Sequence, residues 1–413
     1  MLIWNCKSTI LLETEVAVLW STLGICVYLC GMGVNVIGKS HRLGILGGGQ
    51  LGRMFIQEAA SYDIHVHVMD NDEIAPSSSL ANSYTKGNIR DYDAVMSFGK
   101  DKNTLTVEIE NVNIEALKEL EKSGVKVFPQ PRVLEIIKDK GIQKQFYIEN
   151  KIPTAPFELM DAGADKSQYE KNIPFAHKMR TGGYDGKGVE LIRSKEDMKN
   201  MFDTPSVVEE MIPFEKELSV IVARNERGET AVYQTVECEF NDANLVAFLF
   251  SPAEISEKIE TDAQKLAIDV INAFGMVGIL AVEMFLTKDG ELLVNEVAPR
   301  PHNSGHHTIE CNVTSQFEQH MRAVLNLPLG DTDIVRPGAM INLIGAPNHT
   351  GPVQYNGVNE VLEQPGVHIH LYGKESTKPN RKMGHITVSN KTLEGAKSIA
   401  SQIKDTLQVI STD

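Results

Sequence analysis

Two glutamates carry the first chemical signal. Glu283 and Glu296 lie in apolar runs, Ala281 to Thr287 and Leu292 to Val297, that flank a Lys288-Asp289-Gly290 turn and read as paired strands. A carboxylate inside such a run needs a partner, and two of them offer oxygen ligands to a divalent cation that also rides on a phosphate. Side-chain parity constrains the pairing. A plain three-residue loop sets Thr287 opposite Glu291, and therefore Glu283 opposite Asn295, which turns Glu296 to the other face. Facing carboxylates demand a one-residue bulge, and the hairpin is expected to contain one. Arg300, His302, Asn303, Ser304 and His306 follow in a polar loop, which two acids on a solvated sheet face would leave unexplained.

A second group of residues suits phosphate. Thr181 to Gly188 holds Gly182, Gly183, Gly186 and Gly188 together with Tyr184, Asp185 and Lys187. Such a glycine density disfavours regular structure, and its amides and cation fit a lid over a nucleotide. Val207 to Ile212 reads as a strand and hinge, where the backbone of Glu209, Glu210, Met211 and Ile212 can meet an adenine edge. Lys374, Lys378, Arg381 and Lys382 form a local basic run in a chain of net charge -15. That run suits an anion, and Lys374 and Arg381 can converge on one phosphate if the chain turns between them.

The elements that must position these groups are legible as alternating strands and helices. Arg42 to Gly47 is a strand, Gly47 to Gly52 opens a helix to about Tyr62, and Ile64 to Met69 is a strand ending at Asp70, the start of a doubly wound sheet. Gly47, Gly49 and Gly52 with an acid about twenty residues on also match the dinucleotide fingerprint, which makes an NAD oxidoreductase a rival reading. Leu105 to Asn111 reads as a further strand whose Glu108 and Glu110 stand at the ligand rim. A single helix is expected from Val133 to Asn150, then a boundary at Ile152 to Pro156, a strand from Pro174 to Arg180, strands at 217–224 and 230–238, and a helix from Ser256 to Phe274.

Composition narrows the class. The chain has 413 residues, with 40 Lys and Arg against 55 Asp and Glu, which argues against a nucleic-acid binder. Cys6, Cys26, Cys30, Cys238 and Cys311 show no metal or disulfide spacing, as in a reducing compartment. Residues 1–41 form an atypical apolar leader, read either as a start codon placed too early or as a membrane segment. The remainder divides as 42–143, 144–213 and 214–413.

Leu46 to Met54, Thr106 to Val112, Arg180 to Gly188, Asn295 to His306 and Met340 to Gly345 together resemble the ATP-grasp ligases, and among them the 5-(carboxyamino)imidazole ribonucleotide synthetase family of purine biosynthesis. The resemblance implies an α/β and α+β protein: an N-terminal doubly wound parallel-sheet (pre-ATP-grasp) domain, a small lid domain and a C-terminal mixed-sheet domain. It implies that Lys140, Lys178, Gly183, Gly186, Gly188, the Glu209 to Ile212 hinge, Glu217, Asn295 and Glu296 hold ATP. Glu283 and Glu296 would bind magnesium, in two ions. Tyr184, Asp185, Lys187, Arg300 and His306 would serve the carboxylation centre, and Gln50, Leu51, Glu110, His302, Asn303, Ser304, Lys374 and Arg381 the aminoimidazole ribotide. Phe240 stands where many members carry histidine.

The implied reaction is the ATP- and bicarbonate-dependent carboxylation of that ribotide through carboxyphosphate. Asp185 is the expected base, with the released phosphate and His306 as rivals. A cytoplasmic homodimer is implied, without nucleic-acid or membrane partners. The competing readings are another ATP-grasp ligase, such as the formate-dependent glycinamide ribotide transformylase or a biotin carboxylase, and a membrane-tethered ATP-grasp protein without activity.

Overall fold

The computed structural model describes residues 36–183, 188–240 and 246–412. Nearly all of the expected leader, residues 1–35, lies outside them, as do Tyr184, Asp185, Gly186 and Lys187.

The first domain follows the strand and helix alternation closely. Strand β1 (Gly38–Leu46) begins earlier than Arg42 because Gly38 already pairs with Ile64 of β2 (Ile64–Asp70), and helix α1 (Gln50–Ser61) connects the two. β3 (Ser83–Lys86), α2 (Tyr92–Gly99), β4 (Thr104–Val107), α3 (Ile114–Lys122) and β5 (Lys126–Val127) complete it. The sheet is parallel in order β3-β2-β1-β4-β5, so its order reverses between β1 and β4, where such sheets bind ligands. β4 stops at Val107, which leaves Glu108 and Glu110 in the loop beyond the strand and not inside it.

The expected helix from Val133 to Asn150 is in fact two. α4 (Pro131–Lys138) ends at Asp139, which is extended and caps α5 (Lys140–Glu149) by accepting from the amides of Gly141 and Ile142. An acid that satisfies two orphan amides stabilises a new helix start better than it would serve as a helix-interior residue. Lys140 thereby becomes the first residue of α5.

β6 (Phe157–Met160), β7 (Phe175–Met179), β8 (Val189–Ile192) and β9 (Ser206–Glu210) form an antiparallel lid sheet in order β6-β9-β7-β8. The large antiparallel sheet contains β10 (Phe214–Arg224), β11 (Thr230–Val232), β12 (Val236–Phe240) and β13 (Val246–Ser251). The single strand expected at 230–238 is thus two. α6 (Glu257–Phe274) follows, capped by Ser256 and closed by the left-handed Gly275, and then the hairpin β14 (Gly278–Thr287) and β15 (Leu292–Ala298).

Alternation on this sheet sorts core from site. Leu218, Val220 and Val222 of β10 and Leu280, Val282, Met284 and Leu286 of β14 pack with Ala263, Ala267, Val270, Ile271 and Phe274 of α6. Each such fully buried aliphatic or aromatic side chain is worth roughly 1.5–3 kcal/mol. The opposite face is left to Glu217, Ser219 and Glu283.

After α7 (Thr308–Cys311) and α8 (Gln316–Val324), β16 (Gly338–Ile344) joins the same sheet, and β17 (Gly351–Asn356), α9 (Val358–Leu362), β18 (Val367–Leu371), β19 (Ser376–Thr377), β20 (Lys382–Ser389), α10 (Leu393–Ile403) and β21 (Gln408–Ser411) end the chain. The large sheet runs β15-β14-β10-β12-β13-β16-β20-β18, with β11 beside β10. The C-terminal strands therefore extend the sheet that carries the two glutamates.

Candidate active site

The hairpin contains the bulge that facing carboxylates require. Leu286 pairs with Leu292 and Met284 with Val294, but Glu283 pairs with Glu296, so Asn295 is the extra residue. Val294 and Val297, three apart, both reach the core under α6, and the bulge accounts for that odd spacing. The same register puts Ser219 of β10 opposite Glu283, giving a row Ser219, Glu283, Glu296 across three strands.

Lysines answer these acids. Lys140 at the start of α5 pairs with Glu296, and this ammonium, more than anything else, holds the Glu296 carboxyl below its ordinary range. Glu283 is pushed upward, first by burial and then by Glu296 and Glu217. Lys178 on β7 donates to Oε1 of Glu209 at 2.6 Å and to Oδ1 of Asn295 at 2.9 Å. Glu217 lines the cleft beside Leu218, Cys238, Phe240, Glu283, Met284, Phe285 and Asn295. Burial raises its carboxyl to about 7 against the opposing pull of Lys178.

The acidic pair fits a divalent cation. Two facing carboxylates, one of them raised by burial and by its neighbours, are relieved by a cation, and magnesium takes its remaining ligands from water and phosphate. Among the described residues no group of three or more His, Cys, Asp or Glu could hold a metal by itself.

The polar loop after β15 closes one side. His302 Nε2 stands 3.5 Å from Glu283 Oε1, its Nδ1 lies 2.9 Å from the Ser304 hydroxyl, and Ser304 meets Ser219 at 2.8 Å. Asn303 exchanges hydrogen bonds with Asn342 at 2.8 and 2.9 Å. Arg300 Nε lies 3.0 Å from Glu110 Oε1, so the end of the first sheet meets the hairpin loop through an ion pair. His306 has a different setting. It is 2% exposed, its ring faces Phe317 and His385, and Gln316 holds its Nδ1 at 2.9 Å. Burial drives its pKa well below the ordinary value, which makes it a weaker proton acceptor than a free imidazole and weighs against it as the rival to Asp185 for the base.

The glycine loop differs from its expected use. Gly49 and Leu51 donate their amides to Glu108, the latter at 2.8 Å, and Gly48 donates to Asp70 at 2.7 Å. Gly47 has a φ of +108° and a Cβ there would meet that of Glu108 at 2.8 Å, so glycine is required. These amides are occupied by the protein's own carboxylates where a dinucleotide would place its pyrophosphate. The NAD reading loses its main support. Gln50 and Leu51 remain at the rim of this loop.

Lys374 and Arg381 are each tied to their own turn. Lys374 donates to the Lys382 carbonyl at 2.6 Å, and Arg381 to the Ser376 carbonyl at 2.7 Å. Lys382 contributes to the field at Glu283 and at His306, a link that the sequence reading did not single out. Glu209 of the hinge turns its side chain inward, between Lys144 and Lys178, while Glu210 is exposed and Met211 and Ile212 are half-buried. Gly183 and Gly188 flank the undescribed part of the lid. Ser219 and Lys144 were missed as site residues. A serine two residues after Glu217 in an apolar strand was the available signal for the first; the second had none.

Comparison with known proteins agrees with this geometry. In chain order, residues 40–138 match the ribonucleotide synthetase preATP-grasp domain, 145–317 the ATP-grasp domain and 338–398 the phosphoribosylaminoimidazole carboxylase C-terminal domain. Phosphoribosylaminoimidazole carboxylase of Ogataea methanolica is 37% identical over 90% of this chain and 70% of its own length, and that of Saccharomyces cerevisiae is matched over 63% of its length. N5-carboxyaminoimidazole ribonucleotide synthase of Bacillus subtilis is 36% identical over 86% of this chain and 93% of its own. Among solved structures, the synthetase of Thermotoga maritima superposes with a TM-score of 0.84 at 40% identity, over 90% of this chain and all of that one. The Aspergillus clavatus synthase, solved with ADP and 5-aminoimidazole ribonucleotide, gives 0.81 at 32% identity over 89% and 98% of the two chains. By these matches the chain belongs to the N5-carboxyaminoimidazole ribonucleotide synthetase family of ATP-grasp ligases.

Proposed function

We propose that the chain carboxylates 5-aminoimidazole ribonucleotide at the expense of ATP and bicarbonate, as an ATP-dependent carbon–nitrogen ligase of purine biosynthesis. The observation that carries this reading is the register of Glu283 on Glu296, with Lys140 and Lys178 brought from two other elements to the adjacent residues Glu296 and Asn295. Bicarbonate attacks the terminal phosphorus and displaces ADP, giving carboxyphosphate. This loses phosphate to give carbon dioxide, which the exocyclic amine attacks with loss of a proton.

The chain's residues supply positioning and charge, which provide most of the catalysis in phosphoryl transfer. Lys140 and Lys178 neutralise charge on the transferring group. Glu283 and Glu296 would hold magnesium, in two ions, which would screen the same oxygens. Arg300 with Glu110, and His302 with Ser304, fix the loop that faces the ribotide, whose phosphate is assigned to Lys374 and Arg381. Asp185, on the lid, is the base. The work divides between residues 42–143 for the ribotide, 144–213 for the lid and 214–413 for the catalytic sheet. A homodimer in the cytoplasm is the assembly we assign; no helix among the described residues is long and apolar enough to cross a membrane.

The test is phosphate release from ATP with magnesium and bicarbonate, with and without the ribotide. Release that depends on the ribotide is the expected result. Stimulation by glycinamide ribotide and formate instead would move the chain to the transformylase reading, and silence with every substrate would favour the inactive one.

A further inference from the structure

One buried lysine has no place in the mechanism above. Lys144 on α5 has a side chain only 3% exposed, and its ammonium pairs with Glu209, itself 2% exposed. Glu209 also binds Lys178 at 2.6 Å, and Lys178 continues to Asn295 at 2.9 Å. Lys144 further donates to the Thr154 hydroxyl at 2.5 Å, and Thr154 donates to the Val294 carbonyl at 2.7 Å. Two paths therefore run from Lys144 to neighbouring residues of β15, one of them through the residue that makes the bulge.

Charge counting shows what this arrangement does. Lys140 and Glu296 cancel as a pair. Without Lys144, Lys178 and Glu209 would cancel too, and a buried ammonium that fully pairs with a carboxylate has little attraction left for a phosphate. With Lys144 present, one carboxylate is shared by two ammonium groups, and the net positive charge is expressed at Lys178, the more exposed of the two at 12%.

We propose that Lys144 is a positioning residue for the nucleotide: it competes with Lys178 for Glu209, and so leaves the positive charge of Lys178 only partly answered and available to the phosphates. The inference rests on the nucleotide-site reading of Lys178 above. It also carries a pH signature. Burial brings the Lys144 ammonium down to about 8, with Glu209 opposing and Lys178 and Lys140 adding to the fall. The charged groups that face it are Glu209 from β9, Lys178 from β7 and Lys140 from its own helix. Glu209 stays ionised throughout, because the two lysines overcome the upward push of its burial. As pH rises through about 8, Lys144 loses its proton, Glu209 pairs with Lys178 alone, and affinity for a nucleotide falls.

The experiment measures ADP binding by calorimetry with magnesium from pH 7 to 9.5 for the wild type, Lys144→Arg and Lys144→Met, with a thermal melt of each. The wild type should lose affinity by about ten-fold across this range. Lys144→Arg, which stays charged, should remain flat, and Lys144→Met should bind weakly and without pH dependence. In turnover the Met variant should raise KM for ATP more than it lowers kcat. A flat wild-type profile, or a Lys144→Arg profile that falls as the wild type does, would overturn the inference even if Lys144→Met failed to fold. Absence of ADP binding by the wild type at pH 7 would overturn the nucleotide-site reading itself, and this inference with it.

Discussion

The glycine loop and the bulged hairpin both gather acids beside backbone turns, yet they use them in opposite ways. At the loop, Glu108 and Asp70 accept from the amides of Gly48, Gly49 and Leu51, so the acids are committed to the fold. At the hairpin, Glu283 and Glu296 face each other beside a bulge, and lysines from two other elements reach Glu296 and Asn295. Burial raises Glu108 as it raises Glu283, but Glu108, with Asp70 adding to the rise, is offset by direct hydrogen bonds from the amides of Gly49, Gly52 and Leu51, whereas Glu283 meets two further carboxylates and is offset through the fields of Lys140 and Lys382. A carboxylate surrounded by donors is finished; one surrounded by carboxylates awaits a cation.

The largest effect should come from the hairpin. Glu296→Gln removes a charge that magnesium and Lys140 share, and Glu283→Gln removes its partner. Each should lower kcat for ribotide-dependent phosphate release on the order of 10²–10³-fold, while thermal stability without ligands falls for Glu296→Gln, which strands the Lys140 ammonium, and changes little for Glu283→Gln, whose carboxyl burial already pushes toward its neutral form. A Glu283→Gln variant with near-normal turnover would break the comparison at its strongest point.

Glu108→Ala should do the reverse. It strands amide donors that water reaches poorly, at about 1–3 kcal/mol, and urea unfolding should report that loss. Turnover under conditions where the variant is folded should change little. If instead stability held and activity collapsed, the loop acid would belong with the hairpin acids, and the distinction drawn here would fail.

The contrast also explains what the chain made legible. Parity and loop length, together with the condition that the two carboxylates face each other, demanded a one-residue bulge because both runs were long enough to count, and the register then puts it at Asn295. The start of a doubly wound parallel sheet was readable from β1, the glycine loop and β2, whereas β3, a short polar strand, was not. The break at Asp139 was not read, although an acid ahead of Gly141 is a fair cap signal, since the apolar spacing of α4 and α5 continues across it. Lys144 and Glu209 were opaque: one is a lysine among lysines on a helix, the other an acid at a strand end, and only the tertiary fold buries them against each other. The glycine spacing was legible but ambiguous, because the acid that fills the loop, Glu108, comes from just beyond a strand far along the chain.

Glu217 sharpens the comparison with the smallest effect. Its carboxyl is raised to about 7, by burial first, so in the folded protein without ligands it takes up a proton more readily than in the unfolded chain. The sign follows from linkage: the stability it contributes is complete below its ordinary value near 4.5 and is lost as pH rises through about 7. Glu217→Gln should therefore flatten the fall in melting temperature between pH 5 and 8, by an amount worth less than about 2 kcal/mol once solvent screening is allowed for. Saturating ADP should flatten the wild-type curve less than this substitution does, if the acid serves the ribose without being neutralised by it. A wild-type melting temperature that rises through this interval, with the Gln variant falling, would mean that Glu217 is held in its ionised form by donors in the folded protein, and that the cleft holds fewer waiting acids than the hairpin suggests.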